Sequence, residues 1–114
     1  MTRRFTMGFF AKMFGRPAAP TAAELKAAGA KVIDVRSRGE YQSGHVAGSR
    51  NMDVGALDFA TQVKRLNPRH TYVVYCQSGG RSGRATAAMK AAGLTVIDGG
   101  GIHQMQSNGW TLGT

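Results

Sequence analysis

From residue 21 onward, two kinds of apolar pattern take turns along the chain. Three short runs, Val32-Ile33-Asp34-Val35, Tyr72-Val73-Val74-Tyr75 and Leu94-Thr95-Val96-Ile97, have the length and β-branched character of strands buried on both faces. Between them lie stretches with helical spacing and helix punctuation. Thr21-Ala22-Ala23-Glu24 has the form of a capping box, in which the Thr hydroxyl accepts from the N–H three residues on while the Glu reaches back. Gly29 suits the left-handed residue that closes such a helix near residue 28. Phe59, Val63 and Leu66 share one face of a helix over 56–66, which Asn67-Pro68 ends. A further helix spans about 82–92 up to Gly93, and Gly99-Gly100-Gly101 precedes a last short helix and Trp110. The stretch from Gly39 to Met52 is glycine-rich and reads as short extended pieces. Buried strands alternating with helices call for parallel pairing through right-handed crossovers. The pattern therefore predicts a small three-layer α/β domain over 21–114, with a mostly parallel central sheet flanked by helices.

Composition narrows what such a domain can do. A chain of 114 residues, 42% hydrophobic and 18% charged, suits one folded domain. A single cysteine excludes an internal disulfide framework, and three His with one Cys at unpaired spacings do not make a zinc site, so no metal is expected. No apolar run approaches the ~20 residues needed to cross a bilayer. The net charge of +9 suggests nucleic acid or anionic membrane until it is located. Residues 1–16 carry Arg3, Arg4, Lys12 and Arg16 with no acid, whereas the remainder is only mildly basic. Residues 1–20 thus read as a basic tail whose Phe9, Phe10, Met13 and Phe14 fall at helical spacing. Such a tail is expected to be a terminus covering part of the domain or a flexible leader, with membrane-surface contact the weaker alternative. A secretory signal fits poorly because Lys12 interrupts the short apolar stretch; Met7 offers an alternative start. The domain has no basic stripe or aromatic reading surface, so no nucleic-acid partner is expected, and the expected location is cytoplasmic.

The only cysteine, Cys76, follows the central apolar run and is succeeded by Gln77-Ser78-Gly79-Gly80-Arg81-Ser82 and a helix. Ligands of open α/β sheets gather beyond the carboxyl ends of strands. Glycines let such a loop turn its N–H groups inward, and the next helix adds its unsatisfied N–H groups and positive dipole end. An anion is favoured there, and so is a thiolate over a thiol. Arg81 adds positive charge at the rim. Cys76 has a bland reading as a small buried hydrophobe, but the loop favours a nucleophile that takes and passes on a group. Without a second cysteine, a resolving disulfide within the molecule is excluded.

Two regions together resemble the single-domain rhodaneses, and the likeness spans roughly residues 21–103. One is Val32-Ile33-Asp34-Val35-Arg36 with Glu40-Tyr41, then Gly44-His45-Val46-Ala47-Gly48-Ser49 and Asn51; the other is the Cys76–Ser82 loop. The resemblance implies a cofactor-free sulfurtransferase. Cys76 would take the outer sulfur of an anionic donor such as thiosulfate as a persulfide and pass it to a thiophilic acceptor, cyanide in vitro. The backbone N–H groups of residues 77–81 would hold the charged sulfur and Arg81 the donor, with Gln77 to Ser82 forming the binding loop. A protein donor or acceptor is the alternative partner, which would make the domain a sulfur-relay or binding module. Phosphatases and arsenate reductases of similar fold place five residues between Cys and Arg; here four intervene, matching the sulfur-handling form.

Asp34 and Arg36 stand at the ligand side of their strand and are supporting candidates. Asp34 would steer the loop and Arg36 contact substrate, while the more economical reading has Arg36 and Glu40 paired in a turn and the group serving the fold. His45 reads as a hydrogen-bonded packing residue and His70 as surface. Two departures from the family stand out. A first strand is hard to see before Thr21, and Met105 occupies the place where the family often has a tryptophan, with Trp110 five residues later.

Overall fold

A computed structural model describes residues 20–113; the basic segment and its expected helix lie outside the described residues. In chain order the elements are α1 (Ala22–Ala27), β1 (Lys31–Asp34), α2 (Arg38–Gln42), β2 (His45–Val46), β3 (Arg50–Asn51), α3 (Phe59–Lys64), β4 (Thr71–Cys76), α4 (Gly80–Ala91), β5 (Thr95–Gly101), α5 (Ile102–Ser107) and β6 (Leu112–Gly113). The central sheet runs β3-β1-β4-β5 with every neighbour parallel, and β2 pairs antiparallel with β6 in a separate ribbon. The expected three-layer α/β architecture is thus present.

Alternation along the strands divides the core in two. Ile33, Tyr72, Val74, Cys76 and Val96 face α3 and α4, joining Phe59, Val63, Ala85 and Met89 in one cluster. Val32, Val73 and Tyr75 point the other way, packing with Leu25 of α1, Met105 of α5 and Trp110. The tryptophan beyond Gly109 therefore still serves the core: it is 5% exposed, and its N–H closes on the Met105 carbonyl at 3.1 Å.

Several boundaries differ from the sequence expectation. The capping box at Thr21 forms, with Glu24 Oε1 accepting from the Thr21 N–H at 2.8 Å. A second one, between Ser37 and Glu40, starts the short helix α2 inside the stretch expected to be extended. That helix buries no residue, so it leaves no apolar period to read. The helix expected over 56–66 is only Phe59–Lys64, because Asp53 and Ala56 are held in turns. The helix after the loop starts at Gly80 rather than 82, and β5 extends through Gly101, so the three glycines belong to a strand.

Candidate functional site

Parallel pairing of Asp34 with Tyr75 brings the carboxyl ends of β1 and β4 side by side, and the chemistry collects there. β4 ends on Cys76, three residues turn, and α4 begins. The turn needs Gly79, whose φ of +110° is closed to ordinary side chains, whereas Gly80 has a conventional φ and open space around it. With the chain so turned, the Cys76 Sγ accepts the Gly79 N–H at 3.0 Å and the Ser82 N–H at 3.3 Å. The Ser82 donor comes from the first turn of α4, where helical N–H groups have no partner of their own. Cys76 is 1% exposed. Burial alone would raise its pKa, but hydrogen bonding from Ser82, then from the Gly79 and Ser78 backbone, outweighs that and holds the thiol below its ordinary value.

Two acids that the sequence does not single out as site residues stand around the loop. Asp98 on β5 takes the Ser82 hydroxyl at 2.8 Å and the Gly100 N–H at 2.9 Å, fixing the first turn of α4 against the sheet edge. The Ser82 oxygen also lies 3.0 Å from the Gly79 carbonyl, and its single proton serves one acceptor at a time. Glu40 grips Arg81 in a two-point pair at 2.7 and 2.9 Å. Glu40 is therefore not the partner of Arg36 across a turn. The Ser37 capping box aims its carboxylate at the loop, where the Arg81 guanidinium meets it. A Ser-x-x-Glu spacing was the available signal for Glu40; Asp98 had none beyond its place at the end of an apolar run.

Arg36 instead closes on Asp34, which is fully buried and accepts Arg36 Nη2 at 2.7 Å, Nε at 3.0 Å and the Arg36 N–H at 2.9 Å. The Tyr75 hydroxyl adds a fourth donor to Asp34 at 2.6 Å. Arg36 also donates to the Gly44 carbonyl at 2.7 Å and to Gln77 Oε1 at 3.0 Å, which ties this buried cluster to the loop through one side chain. Asn51 Nδ2 bridges the Asp34 and Arg36 carbonyls and locks the end of β1. Ser78 and Gln77, largely exposed, lean on β5: Ser78 bridges Gly101, and the Gln77 carbonyl accepts the Ile102 N–H. His45 stacks on Tyr41 with centroids 3.7 Å apart and bonds its carbonyl through Nδ1 at 2.8 Å, a packing role. Among the described residues no three His, Cys, Asp or Glu converge as metal ligands, and no helix is long and apolar enough to cross a membrane.

The Glu40–Arg81 pair has a pH signature. Arg81, then the Ser37 N–H and hydroxyl, hold the Glu40 carboxyl down to about 2. A depressed carboxylate stabilises the fold above its ordinary range, and that contribution fades as pH falls through about 2. Both side chains are about one-third exposed, so the gain is at most about 1 kcal/mol. Glu40→Gln should lower the urea midpoint slightly at neutral pH, with the difference from wild type closing near the folded-state pKa. A gap that persisted in strong acid would show that the pair is not its source.

A parallel α/β domain with one recessed, N–H-bound cysteine sulfur at a strand-to-helix loop defines a class of cysteine-centred group-transfer folds. The chain belongs to the rhodanese-like domain family, whose sequence profile matches residues 18–104. It is 36% identical over 98 residues to thiosulfate sulfurtransferase 16, chloroplastic, of Arabidopsis thaliana, covering 75% of this chain and 82% of that one. It is 34% identical over 91 residues to thiosulfate sulfurtransferase GlpE of Ectopseudomonas mendocina, covering 76% and 81%. It also matches the Bacillus subtilis protein YqhL at 34% identity over 68 residues, where it spans about half (52%) of that chain. Among solved structures, a rhodanese with anions from E. coli superposes with a TM-score of 0.62 at 28% identity, over 75% of this chain and 98% of that one. A rhodanese-related protein from Thermoplasma volcanium gives 0.68 at 28% identity, over 83% and 98%.

Proposed function

We propose that the chain is a sulfurtransferase that carries one sulfane sulfur as a persulfide on Cys76. The observation that carries this reading is the thiolate cradle, with the Gly79 and Ser82 N–H groups on Sγ at the head of α4. The Cys76 thiolate attacks the outer sulfur of thiosulfate, a Cys76–sulfur bond forms, the donor's S–S bond breaks, and sulfite leaves with the electron pair. An acceptor such as cyanide then attacks that outer sulfur, forms thiocyanate and returns the thiolate. Atoms and electrons balance in both steps, so no outside oxidant, reductant or redox cofactor is required. Backbone N–H groups of the loop suit the anionic persulfide. Arg81 stands at the rim with its charge paired to Glu40, so its part is to orient an anionic donor rather than to supply unpaired charge. A cytoplasmic place of action belongs to the same proposal.

Incubation with thiosulfate should add about 32 Da to the intact mass, reversed by cyanide or dithiothreitol and absent in Cys76→Ser. An unchanged mass, under conditions that load a known sulfurtransferase, would overturn the proposal. A protein persulfide serving as donor where thiosulfate serves poorly would place the same chemistry in a relay.

A further inference from the structure

A cavity of about 530 Å³ opens at the end of the sheet away from Cys76, beside the start of β1 and the turn that follows α3. Lys26 of α1, Lys31 of β1, Arg50 of β3 and Arg65 after α3 stand around it, and no carboxylate lines it. These four cations are exposed, and none has an acidic partner within ion-pair distance among the described residues. The rest of the lining is mostly apolar and wraps the end of the sheet, with Val32 and Trp110 from one face and Ile33 and Tyr72 from the other. The Lys26 ammonium sits 5.3 Å from the Trp110 ring, bringing positive charge to the edge of that lining.

We infer that this groove docks an acidic polypeptide segment of a partner protein, with one aliphatic or aromatic side chain entering against the apolar lining. Four like charges from four separate elements are held around one concavity, and a ligand that brings several carboxylates relieves their mutual repulsion. The volume is far larger than a single inorganic anion needs and suits an anchoring side chain with its flanking backbone. Three alternatives fit less well. Tyr72 and Trp110 are 3% and 5% exposed, so their faces are not stacking platforms for bases. The apolar surface lines a concavity ringed by charge, where it cannot insert into a bilayer. The chain's own residues 1–16 carry four cations and no acid, the wrong charge for this groove. The inference does not depend on the sulfur chemistry, because the groove and Cys76 lie at opposite ends of the strands.

The test uses the full chain and a fluorescein-labelled short peptide of Glu and Asp with one central Phe, followed by anisotropy at about 150 mM salt. Saturable binding is expected. It should weaken at least about tenfold in Lys31→Glu/Arg65→Glu and by a similar factor when the Phe is replaced by Gly. Arg84→Glu/Lys90→Glu on α4, with the same change of net charge, should bind within about twofold of wild type. The inference is overturned by absence of saturable binding. It is also overturned if both double variants lose affinity equally, if an oligothymidylate displaces the peptide with equal potency, or if phosphatidylserine vesicles bind wild type and Lys31→Glu/Arg65→Glu alike. Far-UV circular dichroism and mass loading by thiosulfate report separately on folding and on the Cys76 site.

Discussion

Asp34→Asn should destabilise the fold by about 3–5 kcal/mol, the largest loss expected from any single polar substitution in the domain. Asp34 is fully buried and takes the Arg36 guanidinium, the Arg36 N–H and the Tyr75 hydroxyl. An amide in its place keeps the shape and removes the charge, leaving the Arg36 cation 4% exposed with no counter-ion. Its tie to Gln77 Oε1 supplies a neutral acceptor and no counter-charge, so it compensates only in part. Burial first, then Asp34, pushes the Tyr75 phenol up to about 12. A raised pKa stabilises fully below the ordinary tyrosine value, and this part of the cluster's contribution is lost as pH climbs through about 12. Urea denaturation of wild type, Asp34→Asn and Asp34→Asn/Arg36→Met measures the effect. The double variant, with both charges gone, should recover most of the single variant's loss. A single-variant cost under about 1 kcal/mol would show that the pair is not the keystone its geometry describes.

The second large effect falls on the loop itself. A Cβ at Gly101 would sit 2.7 Å from the Gln77 carbonyl oxygen and 3.1 Å from the Ser78 Cα, and both are backbone atoms that cannot swing aside. Gly101→Ala should therefore push the Gln77–Ser78 turn off β5 and misplace the N–H groups that hold Sγ. A displacement of that order costs about 100-fold in a positioned reaction. We expect sulfur transfer from thiosulfate to cyanide to fall by that factor, with about 1–3 kcal/mol of stability lost to overpacking. The pH dependence of Cys76 alkylation by iodoacetamide should shift upward, toward an ordinary thiol, as the cradle loosens. Gly83→Ala is the matched control: its nearest neighbour is Asp98 Oδ2 at 3.8 Å, and it lies inside α4. That change should stabilise by about 0.4–1 kcal/mol and leave transfer intact. Equal behaviour of the two variants would sink the argument from steric contact.

The elements that the sequence announced are those whose signal is local. Val32–Val35 and Tyr72–Tyr75 read as strands because both faces are buried, and Thr21 read as a cap because its partner Glu24 is three residues away. The loop around Cys76 was legible for the same reason, since strand, glycine and helix start are contiguous. What stayed hidden depends on contacts across the chain. Glu40 meets Arg81 over 41 positions, a distance that makes a turn-type pairing with Arg36 look more natural on paper. Tyr75 read as one more apolar strand residue, yet its hydroxyl binds Asp34 and takes the Val46 N–H at 2.9 Å. Nothing in a run of aliphatic neighbours reveals which phenol has found a buried carboxylate.

The three glycines before α5 mark where β5 loses step with β4. Val74 pairs with Asp98, but Tyr75 pairs with Gly100, so Gly99 is skipped and everything after it is advanced by one position. Gly101, rather than Gly100, therefore stands opposite Cys76, and α5 departs immediately afterwards. The triplet acts as a phase shift between strand and helix, and its length carries as much information as its composition. Removing one glycine would restore an even ladder, yet it would turn Met105 and Ile102 off the faces they now bury and bring a different residue up against the thiol's loop. A stretch that looks like expendable spacer is thus a counted interval, in which changing the number of residues is a graver edit than changing their kind.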